Sequence, residues 1–87
     1  MASWRIEWRK SAIKELRGIA PQEVARIVQK VEALRDDPFP PGCTKLTGSE
    51  RAWRIRVGDY RVLYEIFTGV LVVEIVRVGH RREVYDR

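Results

Sequence analysis

The chain has 87 residues, of which 45% are hydrophobic, and it carries a formal net charge of +5. This length accommodates one small domain with a single hydrophobic core, and the hydrophobic content argues against a disordered chain. The positive charge favours an anionic partner, such as nucleic acid or an acidic protein.

Cys43 is the only cysteine, so the chain cannot form an internal disulfide bond. The spacing of Cys43 and the single histidine, His80, does not resemble a zinc site, and we therefore expect no metal and no cofactor. The sequence has neither the apolar run of a signal peptide nor that of a membrane span. These features predict a cytoplasmic protein without membrane association.

The first predicted element is a strand over residues 4–9, where apolar and charged residues alternate. Ser11 is expected to cap a short helix that ends near Gly18. The buried face of this helix is predicted to consist of Ala12, Ile13 and Leu16.

A second helix is predicted from Pro21, which suits the first turn, to the breaking sequence Asp36-Asp37-Pro38. Apolar residues recur at intervals of three and four along it and form one continuous stripe. The stripe comprises Val24, Ile27, Val28, Val31 and Leu34.

Three strands are predicted near 52–57, 60–67 and 70–77, connected by short turns at Gly58-Asp59 and Thr68-Gly69. The order β-α-α-β-β-β predicts an α+β fold, in which an N-terminal strand and a helical hairpin pack on a twisted antiparallel β-sheet. Residues 1–87 are expected to form one domain. Three aromatic residues on the strands, Trp53, Tyr60 and Tyr64, are expected in the core, and Trp4 and Trp8 are expected either in the core or in a groove that binds a partner protein.

Arginines alternate with apolar residues in the segment Trp53–Tyr64. Side chains of a strand alternate between faces, so Arg54 and Arg56 are expected on the same face. Guanidinium groups gathered on one side of a sheet are suited to binding phosphate. From periodicity alone, an ordinary solvated face with pairing to Glu65 or Glu74 is the stronger interpretation.

Arg61 lies two residues after Asp59 and has two interpretations from sequence: a residue that closes the turn, or a member of the phosphate-binding set.

The chain resembles the RelE/ParE superfamily of bacterial and archaeal toxins, and more closely its RelE branch. The resemblance extends over essentially the whole chain. It is carried by Lys45-Leu46-Thr47-Gly48, by the segment from Trp53 to Tyr64, and by Val78-Gly79-His80-Arg81-Arg82-Glu83-Val84-Tyr85.

The resemblance implies a microbial ribonuclease-like sheet and the role of toxin in a type II toxin–antitoxin pair. It implies ribosome-dependent, metal-free cleavage of mRNA in the A site, which inhibits translation. A cognate RelB-like antitoxin is the implied protein partner, and DNA is implied only indirectly, through the antitoxin complex.

The family's functional residues correspond to Arg54, Arg56, Arg61, Arg81 and Tyr85. RelE-like relatives often have lysines at the first two positions. An arginine effectively never loses its proton, so a base role of those lysines does not transfer to this chain.

Cleavage through the 2′-hydroxyl also requires proton transfer. Tyr85 is the expected general base, because neighbouring guanidinium groups favour the phenolate, although a tyrosine could equally stack on a nucleobase. His80 is the candidate general acid because of its intrinsic pKa.

Two alternatives belong to other functional classes. One is a ParE-like DNA gyrase inhibitor without catalysis, and the other is a chain that acts only as a corepressor with its antitoxin. ParE-like chains usually lack the combination of a terminal arginine and tyrosine, so Arg81 with Tyr85 favours the endonuclease.

Overall fold

The structure is a computed structural model that describes residues 3–80. A short N-terminal strand is followed by two helices and then by four strands in succession. The elements are β1 (Arg5–Trp8), α1 (Lys10–Leu16), α2 (Pro21–Ala33), β2 (Thr44–Lys45), β3 (Ala52–Val57), β4 (Tyr60–Phe67) and β5 (Val72–His80).

The strands form one five-stranded sheet in the order β1-β5-β4-β3-β2. The α+β class and the helical hairpin on a sheet are confirmed. The neighbours from β5 to β2 are antiparallel, whereas β1 pairs with β5 in parallel, so the complete sheet is mixed. Arg5 pairs with Val72 and Trp8 with Ile75.

The core lies between one face of the sheet and the two helices. Ile27 and Val31 of α2 and Ala12 of α1 are fully buried there. The central strands contribute the alternating residues Ile55, Val57, Val62, Tyr64, Ile66, Val73, Ile75 and Val78. Tyr64 is fully buried in the core, as expected, and four further aromatic residues are partly buried and pack against the core cluster: Trp4, Trp8, Trp53 and Tyr60. Within residues 3–80, no helix covers the opposite face of the sheet.

The short helix differs from its prediction in two respects. Helix α1 begins at Lys10 after Arg9, and no side chain caps it, so the capping role of Ser11 was wrong. The hydroxyl of Ser11 donates instead to the carbonyl of Val76 on β5, at 2.9 Å. Ile13 is 42% exposed, because this helix of under two turns presents only Ala12 fully to the core.

Strand β5 begins at Val72 and ends at His80, whereas the prediction began at residue 70. The turn before it takes up residues 68–71, and Leu71 adopts a positive φ of 55°, which ends β4 in a wider turn than Thr68-Gly69 alone. Val70 is consequently 68% exposed rather than part of the sheet.

The proline-rich segment after α2 is fixed to the core by Tyr64. Its hydroxyl donates to the carbonyl of Pro38 at 2.9 Å, within the buried interior. Phe39 adds an edge-to-face contact with Trp53, at 4.9 Å between ring centroids. Burial raises the pKa of Tyr64, and the neighbouring Cys43 adds to the effect. No helix within residues 3–80 has the length and apolar character needed to span a membrane.

We predict that Tyr64→Phe lowers the free energy of unfolding by about 1–3 kcal/mol, because the buried carbonyl of Pro38 loses its donor. The stabilising effect of the neutral phenol is complete below the ordinary tyrosine pKa of about 10 and is lost as pH rises towards the higher folded-state pKa. Urea unfolding at pH 7 and above pH 10 measures both effects.

Tyr60→Phe is the matched control, since the Tyr60 hydroxyl makes no hydrogen bond within residues 3–80. Equal losses of stability in the two variants would contradict the role assigned to the Tyr64–Pro38 hydrogen bond.

Candidate functional site

The face of the sheet opposite the helices carries the arginines identified from sequence. Arg56 of β3 lies directly opposite Arg61 of β4, and Arg54 lies opposite Leu63. Each of these two pairs is extended by a residue of β5, so that it becomes a row across three strands: Gly79 lies beside Arg61, and Arg77 lies beside Leu63. The cations therefore occupy two adjacent cross-strand rows near one end of the sheet; Arg54, Arg56, Arg61 and Arg77 are called the arginine face below.

Arg56 and Arg61 are like charges directly opposite each other, an arrangement that destabilises an antiparallel pair. Within residues 3–80, neither takes part in a salt bridge. The Nε of Arg56 donates to the carbonyl of Gly58 at 3.2 Å. Arg61 and Asp59 form no ion pair, so the interpretation of Arg61 as a residue that closes the turn is not supported.

The acidic residues of the same sheet face lie one row further from this end. Glu65 and Glu74 are cross-strand partners, and both approach Arg9, at 3.7 Å and 2.8 Å between nitrogen and oxygen. Hydrogen bonding to Glu74 raises the pKa of Arg9. The open face is thus divided by charge: an acidic row balanced by Arg9, and the arginine face beside it.

Arg77 is a member of the arginine face that the sequence analysis missed. Regular alternation from Glu74 would place Val76 on the open face and Arg77 towards the core. A β-bulge prevents this: Tyr64 pairs with Ile75 while Leu63 pairs with Arg77, so Val76 is the extra residue. Because of the bulge, Arg77 lies on the open face. No simple periodicity in the sequence indicates that a bulge is present at this position.

Glu15 of α1 holds the end of β5 in place. One carboxylate oxygen accepts the backbone N–H of Val78 at 2.7 Å, and the other accepts two bonds from the guanidinium of Arg77, at 2.9 and 3.1 Å. β1 ends its pairing at Ile75, so the edge of β5 beyond that point would otherwise lack a neighbour. Ser11 and Glu15 therefore replace a strand by side-chain hydrogen bonds.

His80 lies on the other face from Arg61. It pairs with Tyr60, and the two rings make an edge-to-face contact at 5.8 Å between centroids, whereas the next row pairs Arg61 with Gly79. His80 also lines a cleft with Glu15 and Ile19, near the end of α1. The geometry does not bring His80 into the arginine face, which gives no support to its proposed role as general acid.

Arg81 and Tyr85, the two remaining predicted site residues, lie outside the described residues. Within residues 3–80, no group of three or more histidine, cysteine, aspartate or glutamate side chains could hold a metal ion.

Residues 6–85 match the family described as the ParE toxin of the type II toxin–antitoxin system parDE. A protein assigned the name toxin RelE1, from Methanocaldococcus jannaschii, is 25% identical over 85 residues, which cover 94% of each chain. A protein from Escherichia coli with a RelE-like toxin assignment is 25% identical over 87 residues, covering 95% of this chain and 90% of its own.

Solved structures with the same fold include toxins crystallised with antitoxins. The archaeal RelE–RelB complex from Pyrococcus horikoshii OT3 superimposes with a TM-score of 0.82 and 25% identity, covering 94% of this chain and 99% of the other. The toxin–antitoxin complex RelBE2 from Mycobacterium tuberculosis gives a TM-score of 0.80 and 27% identity, covering 91% and 99%.

We predict that Glu15→Ala lowers the free energy of unfolding by about 1–3 kcal/mol, since the half-buried N–H of Val78 loses its acceptor. Amide hydrogen exchange at Val78 should accelerate in the same variant, and urea unfolding measures the stability. Glu32→Ala is the control, because Glu32 pairs with Arg35 on an exposed helix surface and such pairs contribute little. Unchanged exchange at Val78 would contradict the bracing role of Glu15.

We predict that Arg61→Gln raises the free energy of unfolding by a few tenths of a kcal/mol at low salt, because it relieves the repulsion with Arg56. Added salt should reduce the gain. Arg5→Gln changes the net charge equally but removes the pair with Glu7, so it should bring no gain. A loss of stability in Arg61→Gln would show that Arg61 has a structural role.

Proposed function

This chain belongs to the RelE/ParE superfamily and is a RelE-like toxin of type II toxin–antitoxin systems, and we propose that it is a ribosome-dependent endoribonuclease that cuts mRNA in the A site. The reaction needs no metal. Cleavage of the message stops translation, which is the toxic effect.

The observation that carries this proposal is the unneutralised pair Arg56 and Arg61. A sheet selected only for stability would gain from an opposite charge or a neutral residue at one of these positions. Two arginines at directly opposed strand positions instead provide planar, multidentate donors for phosphate oxygens. Arg54 lies in the next row of the same face, together with Arg77, whose guanidinium is paired with Glu15.

In the proposed reaction, the 2′-hydroxyl of a nucleotide attacks the adjacent phosphorus and the 5′-oxygen of the next nucleotide leaves. Negative charge grows on the phosphate oxygens during this step. Arg54, Arg56, Arg61 and Arg81 stabilise that charge, and each positioned donor contributes about 3 kcal/mol to the lowering of the barrier. Arginine remains protonated, so these residues act as electrostatic groups and not as bases.

Tyr85 is the proposed general base that receives the proton of the 2′-hydroxyl. The ordinary pKa of a tyrosine is about 10, so the proposed role requires guanidinium groups beside the phenol, which favour the phenolate. The alternative role, stacking on a nucleobase, makes a different prediction: a Tyr85→Phe variant retains the ring and therefore retains stacking.

Dependence on the ribosome follows from the incompleteness of the site. His80 shares its face with Tyr60, away from the arginines, so the arginine face has no histidine–carboxylate pair within the described part of the chain. Most of the remaining rate acceleration then comes from holding the message in line for attack. Orientation contributes several kcal/mol when a scaffold supplies it, and the A site is the proposed scaffold.

A RelB-like antitoxin is the proposed inhibitor. The solved relatives from Pyrococcus horikoshii and Mycobacterium tuberculosis are toxin–antitoxin complexes, which supports an equivalent partner here. An acidic antitoxin suits a toxin of net charge +5. DNA is contacted only through that complex, and the cytoplasm is the proposed location because ribosomes and mRNA are found there.

A ParE-like action on DNA gyrase is the second candidate, and one observation favours it: the matching family is described as a ParE toxin. In that case the arginine face would bind a protein or DNA without chemistry. The resemblance of the terminal Arg81 and Tyr85 to RelE-like toxins favours the endonuclease. The two candidates differ in whether Tyr85→Phe abolishes toxicity.

We predict that wild type produces cuts within the A-site codon of a defined message in a purified translation reaction, as detected by primer extension. Arg61→Gln should reduce the cleavage rate by about 10²–10³-fold, the usual loss for one donor to a developing oxyanion. The double variant Arg81→Ala/Tyr85→Phe should remove the cuts, because it lacks both a donor and the base.

Arg5→Gln serves as the control, since it removes one arginine of the open face far from the arginine face. Cuts in the absence of ribosomes at an equal rate would contradict the dependence on the A site. Translation without cuts, combined with inhibition of gyrase supercoiling, would establish the second candidate.

A further inference from the structure

A cleft lies where helix α2 crosses the end of β3, next to the arginine face. Its volume is about 440 Å³. It is called the α2–β3 cleft here, and its lining residues are Arg26, Gln29, Lys30, Ala33, Arg56, Val57 and Gly58. None of these is acidic, and three are cationic.

The cleft is open because the sheet ends early on this side. Strand β2 has only two residues, which pair with Trp53 and Arg54. Residues 55–57 of β3 therefore pair with β4 on one side, and no strand within residues 3–80 lies along their other side. Gly58 completes the wall with a φ of +60° and no side chain. A Cβ atom at Gly58 would be in ordinary van der Waals contact with the Arg26 guanidinium, 3.5 Å from its nitrogens, so Arg26 lies directly against this turn.

The three cations of the cleft are only partly neutralised. Arg26 contacts Glu23 at 3.3 Å on an exposed helix surface, an interaction that contributes little. Lys30 makes no ion pair within residues 3–80. Arg56 uses its Nε to bond the carbonyl of Gly58, which turns its guanidinium towards the cleft and leaves the terminal nitrogens available.

Arg56 belongs to both surfaces. Its cross-strand partner is Arg61 of the arginine face, and its side chain bends over the uncovered edge of β3 into the α2–β3 cleft. A polyanion bound along the arginine face would therefore meet Lys30 and Arg26 without crossing an acidic residue of the cleft.

We propose that the α2–β3 cleft binds a backbone phosphate of the RNA on one side of the scissile bond, with Lys30 and Arg26 as its ligands. This assignment rests on the proposed function, in that the bound polymer is RNA. The cleft takes no part in the chemical step. It fixes the direction in which the strand leaves the arginine face, and its contact is independent of base sequence.

The test is the binding of a short single-stranded RNA whose 2′-hydroxyl groups are methylated, which removes the nucleophile and separates binding from cleavage. Fluorescence anisotropy gives Kd over a range of salt concentrations for wild type, Lys30→Gln and Lys14→Gln. Lys14 is the matched control: both lysines lie in the last turn of a helix and neither forms an ion pair within the described residues.

Lys30→Gln should raise Kd several-fold and reduce the slope of log Kd against log salt by about 0.7, the value for one lost contact to a single strand. Lys14→Gln should leave the slope unchanged, and both variants should unfold at the wild-type urea concentration. Equal changes in the two variants would overturn the proposal, because they would reflect net charge alone.

A peptide of aspartate residues with the same charge as the RNA is the second ligand. A loss of affinity in Lys30→Gln that is as large for the peptide as for RNA would overturn the assignment to RNA and indicate a site for an acidic protein segment. Primer extension on ribosomes, run on the same samples, separates the two proposals. If the wild-type protein cleaves mRNA but Lys30→Gln binds the methylated RNA no more weakly than Lys14→Gln, only the proposal for the cleft is refuted. If Lys30→Gln specifically weakens RNA binding but the wild-type protein produces no cuts on ribosomes, only the proposed endonuclease activity is refuted.

Discussion

The hydrogen bonding of strand β5 is the constraint on which the rest of the structure depends. β5 is paired along β4 on one side, and on the other side it changes partner from β1 to helix α1 after Ile75. Ser11 and Glu15 make this change possible by bonding the backbone at Val76 and Val78. A backbone left unpaired there would cost as much as a lost hydrogen bond at each group.

The same change of partner determines where function can be placed. Helix α1 braces the end of β5 that carries Arg77 and that leads into Arg81. The arginine face therefore includes a strand end that hydrogen bonds to Glu15 hold in place. Charge repulsion between Arg56 and Arg61 acts against the sheet in this region, and the bonds from Glu15 act in the opposite direction.

Much of the architecture could be predicted because its physical causes are local. The alternation of apolar and polar residues in β3 and β4 predicts which side chains lie on each face of the sheet. The stripe of apolar residues along α2 predicts which of its side chains reach the core. Ser11 and Arg77 could not be placed in this way. The role of Ser11 depends on β5, which is distant in sequence, and the position of Arg77 depends on a bulge that regular alternation does not contain. The cleft beside Arg56 results from the shortness of β2, a feature for which no pattern in residues 43–51 gives a signal.

The parallel pairing of β1 with β5 has a consequence for the synthesis of this chain. Arg5 pairs with Val72, so the sheet cannot close until the first 72 residues have left the ribosome. Contacts between such distant residues are formed late, because loop closure must precede them. The arginine face is assembled from β3, β4 and β5 and shares this delay. The sheet of this toxin is thus assembled only after most of its chain has been translated.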